Sequence, residues 1–465
     1  MFSPELLSAW SGGEWSGAPR PVGRVQKDSK QIEPGDLYVA LRGERFDGHD
    51  FVVEAFGRGA AAAMVARAWT PPSGVGPLLR VDDPLRALGD LARGYRQTLS
   101  ARIIGVTGSL GKTTVKELIA SALSVAGDVA RTLGNWNNAI GLPLSILAMR
   151  PSDAFGVFEI GMNHPGELAP LCDILRPDWG VLTRIASVHI EFFPSEEAIA
   201  EEKSTLLQAL PPDGVAFLAA DEPWFDLLRA RARGRVVTVA WDGAPDYLGQ
   251  FDPALADRIT VRERLGRWAE YPLPGPGEPM RRNALRAIAV AREMALPPEQ
   301  IAAGLVRYAP PPMRWETVEV GGVHWINDAY NASPLSMVAA LRTFREETAA
   351  LRRWLVLGGM RERGRQGDAD HAALGRAIAS GDWAGLVTVG ERGAAIARAA
   401  VAAGWPADRA AACTDADAAV AWLRARLEPG DAVLLKGSRG ERVERVLERW
   451  RAAVAAPREP ASGRE

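Results

Sequence analysis

Ile103-Ile104-Gly105-Val106-Thr107-Gly108-Ser109-Leu110-Gly111-Lys112-Thr113-Thr114 is the stretch on which the fold turns. Residues 103–106 read as a buried strand, the two glycines after it as a tight turn, and residues 112–126 have helical periodicity. A glycine turn between strand and helix aims backbone N–H groups and the positive helix end at an anion. Lys112 can then reach the β- and γ-phosphates of a nucleotide, and the Thr113 hydroxyl can ligate magnesium. The strict phosphate-loop pattern places glycine at position 106, where Val106 stands, so the match is the variant T-G-x-x-G-K-T-T.

Outward from this loop, residues 155–160 and 180–183 read as further buried strands. Strands alternating with helices imply a parallel sheet covered on both faces. This central unit is expected over 101–312, with residues 271–279, which hold four prolines, as a loop inside it. Ala309-Pro310-Pro311-Pro312 reads as a stiff linker. Before the central unit, residues 1–100 read as a small α/β unit, with strands near 37–41, 61–65 and 78–81 and a helix near 51–56. After it, residues 313–465 read as doubly wound, with strands near 354–357, 386–389 and 432–435, helices near 371–380 and 415–427, and a polar tail over 457–465. The expected fold is α/β in three domains: a small N-terminal α/β domain, a central phosphate-loop-type parallel sheet, and a C-terminal Rossmann-like domain.

The 465 residues carry 55 basic and 57 acidic side chains, a formal charge of -2. A field that small gives no reason to expect nucleic acid or an anionic membrane as partner. Two cysteines cannot form a disulfide framework or a thiolate zinc site, and no apolar run reaches spanning length. Residues 1–15 lack a basic region followed by an apolar core, so a cytoplasmic location is expected. Only six of the basic residues are lysine: Lys27, Lys30, Lys112, Lys116, Lys203 and Lys436. Where arginine serves as the general cation, a remaining lysine is a candidate for chemistry that needs a compact charge or a deprotonated amine, though chance accounts for some of the six.

Glu159 ends the second strand, at the sheet edge where a carboxylate can hold magnesium beside the phosphate loop. Alone, a strand-end acid is often only a helix cap. His189, just past the strand near Leu182, falls on the same edge if the strands are parallel; alone it reads as a structural histidine. Lys203, in Ile199-Ala200-Glu201-Glu202-Lys203, reads by itself as part of a solvated helix face.

Together these residues resemble the Mur ligase family, ATP-dependent amide-forming enzymes of peptidoglycan precursor synthesis. The likeness runs through nearly the whole chain in order: the phosphate loop; Asn135-Trp136-Asn137-Asn138-Ala139-Ile140-Gly141-Leu142-Pro143; Glu159-Ile160-Gly161; His189-Ile190-Glu191 with Lys203; Asn283-Ala284; Arg314; and Asn327-Asp328-Ala329-Tyr330-Asn331-Ala332-Ser333-Pro334-Leu335-Ser336. The segment Tyr330 to Pro334, Lys436-Gly437-Ser438-Arg439, and Asp28-Ser29-Lys30 with Asp47-Gly48-His49 are most similar to the branch that adds D-alanyl-D-alanine to UDP-N-acetylmuramoyl-tripeptide. The resemblance implies ATP contacts from Thr107, Gly108, Ser109, Leu110, Gly111, Lys112, Thr113, Thr114, Asn283, Arg314 and Asp328. It implies substrate contacts from Ser29, Asn137, Asn138, Tyr330, Asn331, Lys436, Ser438 and Arg439. Lys112, Glu159, His189 and Lys203 are the implied catalytic residues. Mg2+ would be held by Thr113, Glu159, His189 and Lys203, the last as a carbamylated lysine.

The chain departs from the family pattern in places. Lys30 stands where arginine is usual, and Arg184, Ala186 and Ser187 where Asn, Gly and Pro are usual. A histidine common before the adenine-side asparagine is replaced near Pro279, and Gly359 takes the place of a frequent acid. Two enzyme alternatives are a diaminopimelate- or lysine-adding ligase and a folylpolyglutamate synthase; a third reading is a catalytically silent ATP-binding scaffold. Residues 330–334 argue against the other acceptors, and intact Lys112, Glu159, His189 and Lys203 against the scaffold.

Overall fold

The computed structural model describes residues 1–455, so the tail expected over 457–465 lies outside the described residues. Three sheets follow one another along the chain. The first has five strands in the order Glu14–Ser16, Leu78–Val81, Ala62–Ala66, Leu37–Val39, Val25–Gln26, with only the Glu14–Ser16 edge antiparallel.

The second sheet has nine strands, and Arg102–Thr107 lies inside it, between Phe155–Glu159 and Trp179–Leu182. Pairing is parallel from Val129–Arg131 to Tyr247–Gln250, then antiparallel through Arg258–Arg262 and Trp268–Pro272. Ile104, Val106 and Val157 are fully buried because helices cover both faces. On one face Val115, Leu118 and Ile119 of the helix Lys112–Leu123 share a core with Ala284, Leu285 and Ile288 of the helix Gly277–Glu293. The chain leaves Arg102–Thr107 on one side and returns on the other, so the crevice beyond its carboxyl end is a topological switch point.

The loop expected over 271–279 is shorter than the proline count suggests. Pro272 ends the edge strand Trp268–Pro272, where a missing N–H costs no ladder bond. Pro276 is the N-cap of Gly277–Glu293, and Pro279 lies in that helix's first turn, where amides have no intrahelical partner anyway. Residues 273–276 alone remain as the connection.

The third sheet has six strands in the order Glu316–Val320, Val323–Asn327, Ala432–Lys436, Arg353–Gly358, Gly385–Val389, Ala410–Cys413. All pairings are parallel except the Glu316–Val320 edge. Residues 309–312 carry no regular structure, and Met313 and Trp315 on either side of Arg314 both take left-handed backbone angles. No helix among the described residues is long and apolar enough to cross a membrane.

Trp325 anchors the strand that delivers Asp328. It is fully buried, with its ring 5.4 Å from that of Trp450. Trp325→Ala should destabilise the C-terminal unit by ~3–5 kcal/mol, read from its denaturant transition. A loss below ~1 kcal/mol would contradict this packing.

Candidate active site

Gly111 caps the helix Lys112–Leu123 with φ 84°, and a Cβ there would sit 2.8 Å from Asn283 Oδ1. Loop and adenine-side candidate are therefore packed together. Within the loop, the N–H groups of Ser109 and Leu110 donate to the Arg184 carbonyl at 2.7 and 3.2 Å. The anion-facing amides are those of the first helical turn, which lack intrahelical acceptors. Lys112 Nζ curls over the loop and donates to the Gly108 carbonyl at 2.9 Å. Its ammonium is pulled below the usual lysine range by burial, with Glu159 acting in the opposite direction.

The parallel register pairs Val106 with Glu159, so the strand-end acid arrives beside the loop. The Glu159 carboxylate is buried and accepts from Thr113 Oγ1 at 2.7 Å and from Asn137 Nδ2 at 2.8 Å. Its backbone N–H donates to Thr132 Oγ1 at 2.8 Å, and Lys116 Nζ holds the Thr132 carbonyl at the same distance. Magnesium takes hard oxygens and usually keeps only one or two protein ligands besides phosphate and water. Thr113 and Glu159, already in contact, fit that chemistry.

His189 takes a left-handed backbone angle, φ 62°, and its Nδ1 pairs with the carboxylate of Glu362 from the third sheet's unit. Lys203 does not lie on a solvated face. It is 2% exposed inside the helix Glu196–Gln208, while Glu201 beside it is exposed. Burial and then the charge of Lys112 hold its ammonium well below the usual range, against the pull of Glu202 and Glu159.

A cavity of about 620 Å³ opens between the second and third units. Its central wall includes residues 109–114, Asn137, Asn138, Glu159, His189 and Asn283. Its C-terminal wall includes Arg314, Asp328, Tyr330, Asn331 and Lys436. The Arg314 guanidinium stacks 4.1 Å from the Tyr330 ring centre, and Lys436 Nζ ties Asp328 Oδ2 at 2.6 Å to the Asn331 carbonyl at 3.1 Å.

Other sequence candidates lie off this wall. Thr107 spends its hydroxyl on the Ile160 carbonyl, and Gly108 turns beneath the loop. Lys203 sits behind the wall, near enough for Lys112 and Glu159 to act on its charge. Ser438 accepts from the Arg361 N–H at 2.9 Å, and Arg439 pairs with Glu444. Ser29 belongs to the first unit, where its hydroxyl meets Glu54 at 3.2 Å. That unit reaches the neighbourhood through Lys27, 5.9 Å from the Trp136 ring centre.

Several wall residues escaped the sequence reading. Arg286 is buried, and desolvation lowers its guanidinium to about 10, with Glu222 the largest opposing influence. It stands one turn beyond Asn283 on the same helix, and that spacing was the available signal. Glu278 pairs with Arg282 one turn along its own helix, a spacing visible in the sequence, and with Arg342 of the third unit, a contact that no local pattern encodes.

Three family models match in chain order: Mur ligase family, catalytic domain, over 22–96; Mur ligase middle domain over 106–291; and Mur ligase, glutamate ligase domain, over 313–439. The chain is 36% identical over 424 residues to UDP-N-acetylmuramoyl-tripeptide--D-alanyl-D-alanine ligase of Bacillus subtilis (strain 168), covering 91% of this chain and 92% of that one. Among solved structures it is similar to MurF from Acinetobacter baumannii, with TM-score 0.86, 27% identity, and 97% and 99% of the two chains covered. It is also similar to MurF ligase from Thermotoga maritima in complex with ADP, with TM-score 0.78, 27% identity, and 93% and 97% covered. Sharing three family models in order and a relative alike along most of both chains, this chain belongs to the Mur ligase family.

Proposed function

We propose that this chain joins the terminal carboxylate of UDP-N-acetylmuramoyl-tripeptide to the amine of D-alanyl-D-alanine, using ATP, in peptidoglycan precursor synthesis. The observation that carries this reading is a single cavity whose one wall holds the phosphate loop with Glu159 and whose other wall holds Asp328, Tyr330, Asn331 and Lys436. Residues 1–100 are then the UDP-sugar domain, residues 101–312 the ATP domain and residues 313–465 the domain for the incoming dipeptide.

The reaction brings three anionic groups together: the tripeptide carboxylate, the γ-phosphate and the leaving ADP. Carboxylate oxygen attacks the γ-phosphorus, giving an acyl phosphate; the dipeptide amine then attacks the carbonyl carbon, and phosphate leaves. Lys112 would neutralise the γ-phosphate, and the first-turn amides would orient it. Thr113 and Glu159 would hold a magnesium ion, with His189 and Lys203 serving a second. Bound there, the ions would neutralise phosphate charge and align the attacking oxygen. Asn283 is assigned to the adenine edge. Arg314 and Asp328 reach the cavity from beyond the proline linker, so docking of the last unit closes the site and keeps water from the acyl phosphate.

Lys203 is read as a carbamate. Its amine sits buried beside Lys112, without a carboxylate in ion-pair range among the described residues. A neutral amine adds CO2 and loses a proton to give an oxygen ligand, and guanidinium cannot follow that route. Lys203→Arg should retain its fold yet lose nearly all activity, and bicarbonate labelled with carbon-13 should give one carbamate resonance that the variant lacks. An active Lys203→Arg enzyme would contradict the assignment.

The acceptor is tested with the UDP-sugar tripeptide and ATP fixed and the amine varied. D-alanyl-D-alanine should support phosphate release far faster than diaminopimelate, lysine or glutamate. A preference for one of those amines would replace this reading with another branch of the family.

A further inference from the structure

Residues 362–364 of the third unit lie against residues 187–191 of the second. Two adjacent side chains make the junction. Arg363 is buried; Asp370 fixes it at 2.7 Å, and it donates to both the carbonyl and the hydroxyl of Ser187. Glu362 turns the other way and receives Nδ1–H of His189, while its carbonyl accepts from the Glu191 N–H at 3.3 Å. Both members of the Glu362–His189 pair hold left-handed backbone angles, φ 57° and φ 62°, which non-glycine residues adopt only when their surroundings impose them.

His189 is on the cavity wall and Glu362 is not. A carboxylate can only accept, so it places the ring proton on Nδ1 and leaves Nε2 as the nitrogen with a free lone pair. We propose that Glu362 is a positioning residue: it fixes the tautomer and direction of the His189 ring, so that Nε2 is ready for a metal ion only when the third unit is docked. The inference rests on the reading of His189 as a ligand. Docking itself already has Arg363 and the Glu278–Arg342 pair, so the Glu362 carboxylate is spent on a histidine ring that faces the site.

The test uses the full chain with Mn2+ in place of Mg2+, titrated by electron paramagnetic resonance in the presence of a non-hydrolysable ATP analogue. Alongside it, the Mg2+ dependence of turnover, the KM for ATP and the melting temperature are measured. Glu362→Ala should weaken one Mn2+ site about ten- to a hundredfold, the usual effect of losing a carboxylate behind a metal-bound histidine. Turnover should need correspondingly more Mg2+, with the KM for ATP and the melting temperature little changed. Glu362→Gln should recover part of the affinity, because an amide oxygen still accepts from Nδ1–H.

His189→Ala separates the two levels of the argument. If it weakens Mn2+ binding while Glu362→Ala does not, the positioning role is wrong and the ligand reading stands. If His189→Ala leaves Mn2+ binding unchanged, both fall. Equal losses in the Ala and Gln variants, with a lower melting temperature and a raised KM for ATP, would make Glu362 a docking contact and overturn the proposal.

Discussion

The hydrogen bond from Thr113 Oγ1 to Glu159, 2.7 Å long, joins the first turn of one helix to the last residue of a neighbouring strand. The site depends on it, and it depends on register. Because Val106 pairs with Glu159 in parallel, the carboxyl ends of two strands finish level. The phosphate loop, the acid and the helix dipole then meet in one crevice. A slip of one residue would turn the Glu159 side chain to the other sheet face. Asn137 and Thr132 hold the same acid from a third direction, and Lys116, fully buried, holds Thr132.

Electrostatics gives this arrangement its purpose. The charge of half-buried Lys112 disfavours that of buried Lys203, and Arg286 is desolvated nearby on the wall. Such a concentration of cations is costly in an empty pocket and favourable around polyphosphate and carboxylate. Part of the cationic wall comes from the last unit, as Arg314 and Lys436, so the field is complete only with the units together. The Glu278–Arg342 and Arg363–Ser187 contacts hold them in that arrangement.

Much of this was legible in the sequence. The α/β class, the phosphate loop and the strand carrying Glu159 follow from periodicity, two glycines and an acid at a strand end. The family likeness followed from motifs in order. Lysine scarcity singled out Lys203, yet local pattern alone would have left it on a solvated face, because nothing within Glu201-Glu202-Lys203 reveals which side of the helix the core covers. The prolines of 271–279 misled for a related reason: proline suits an edge strand and a first helical turn as well as a loop, and only tertiary context chooses. The junction roles of Glu362, Arg363, Glu278 and Arg342 were invisible because the partners they meet across it, His189, Ser187 and each other, lie far along the chain at no local spacing. Ser438 and Arg439 stand in a motif, but their side chains are engaged within the third unit.

The central claim is that this cavity activates a carboxylate by phosphorylating it. The most direct measurement uses UDP-N-acetylmuramoyl-tripeptide carrying oxygen-18 in its terminal carboxylate, with ATP and D-alanyl-D-alanine, and mass analysis of the phosphate released. Attack of the carboxylate on the γ-phosphorus predicts one labelled oxygen in each phosphate formed by ligation. Ligation with unlabelled phosphate would mean that no acyl phosphate forms, and would contradict the account.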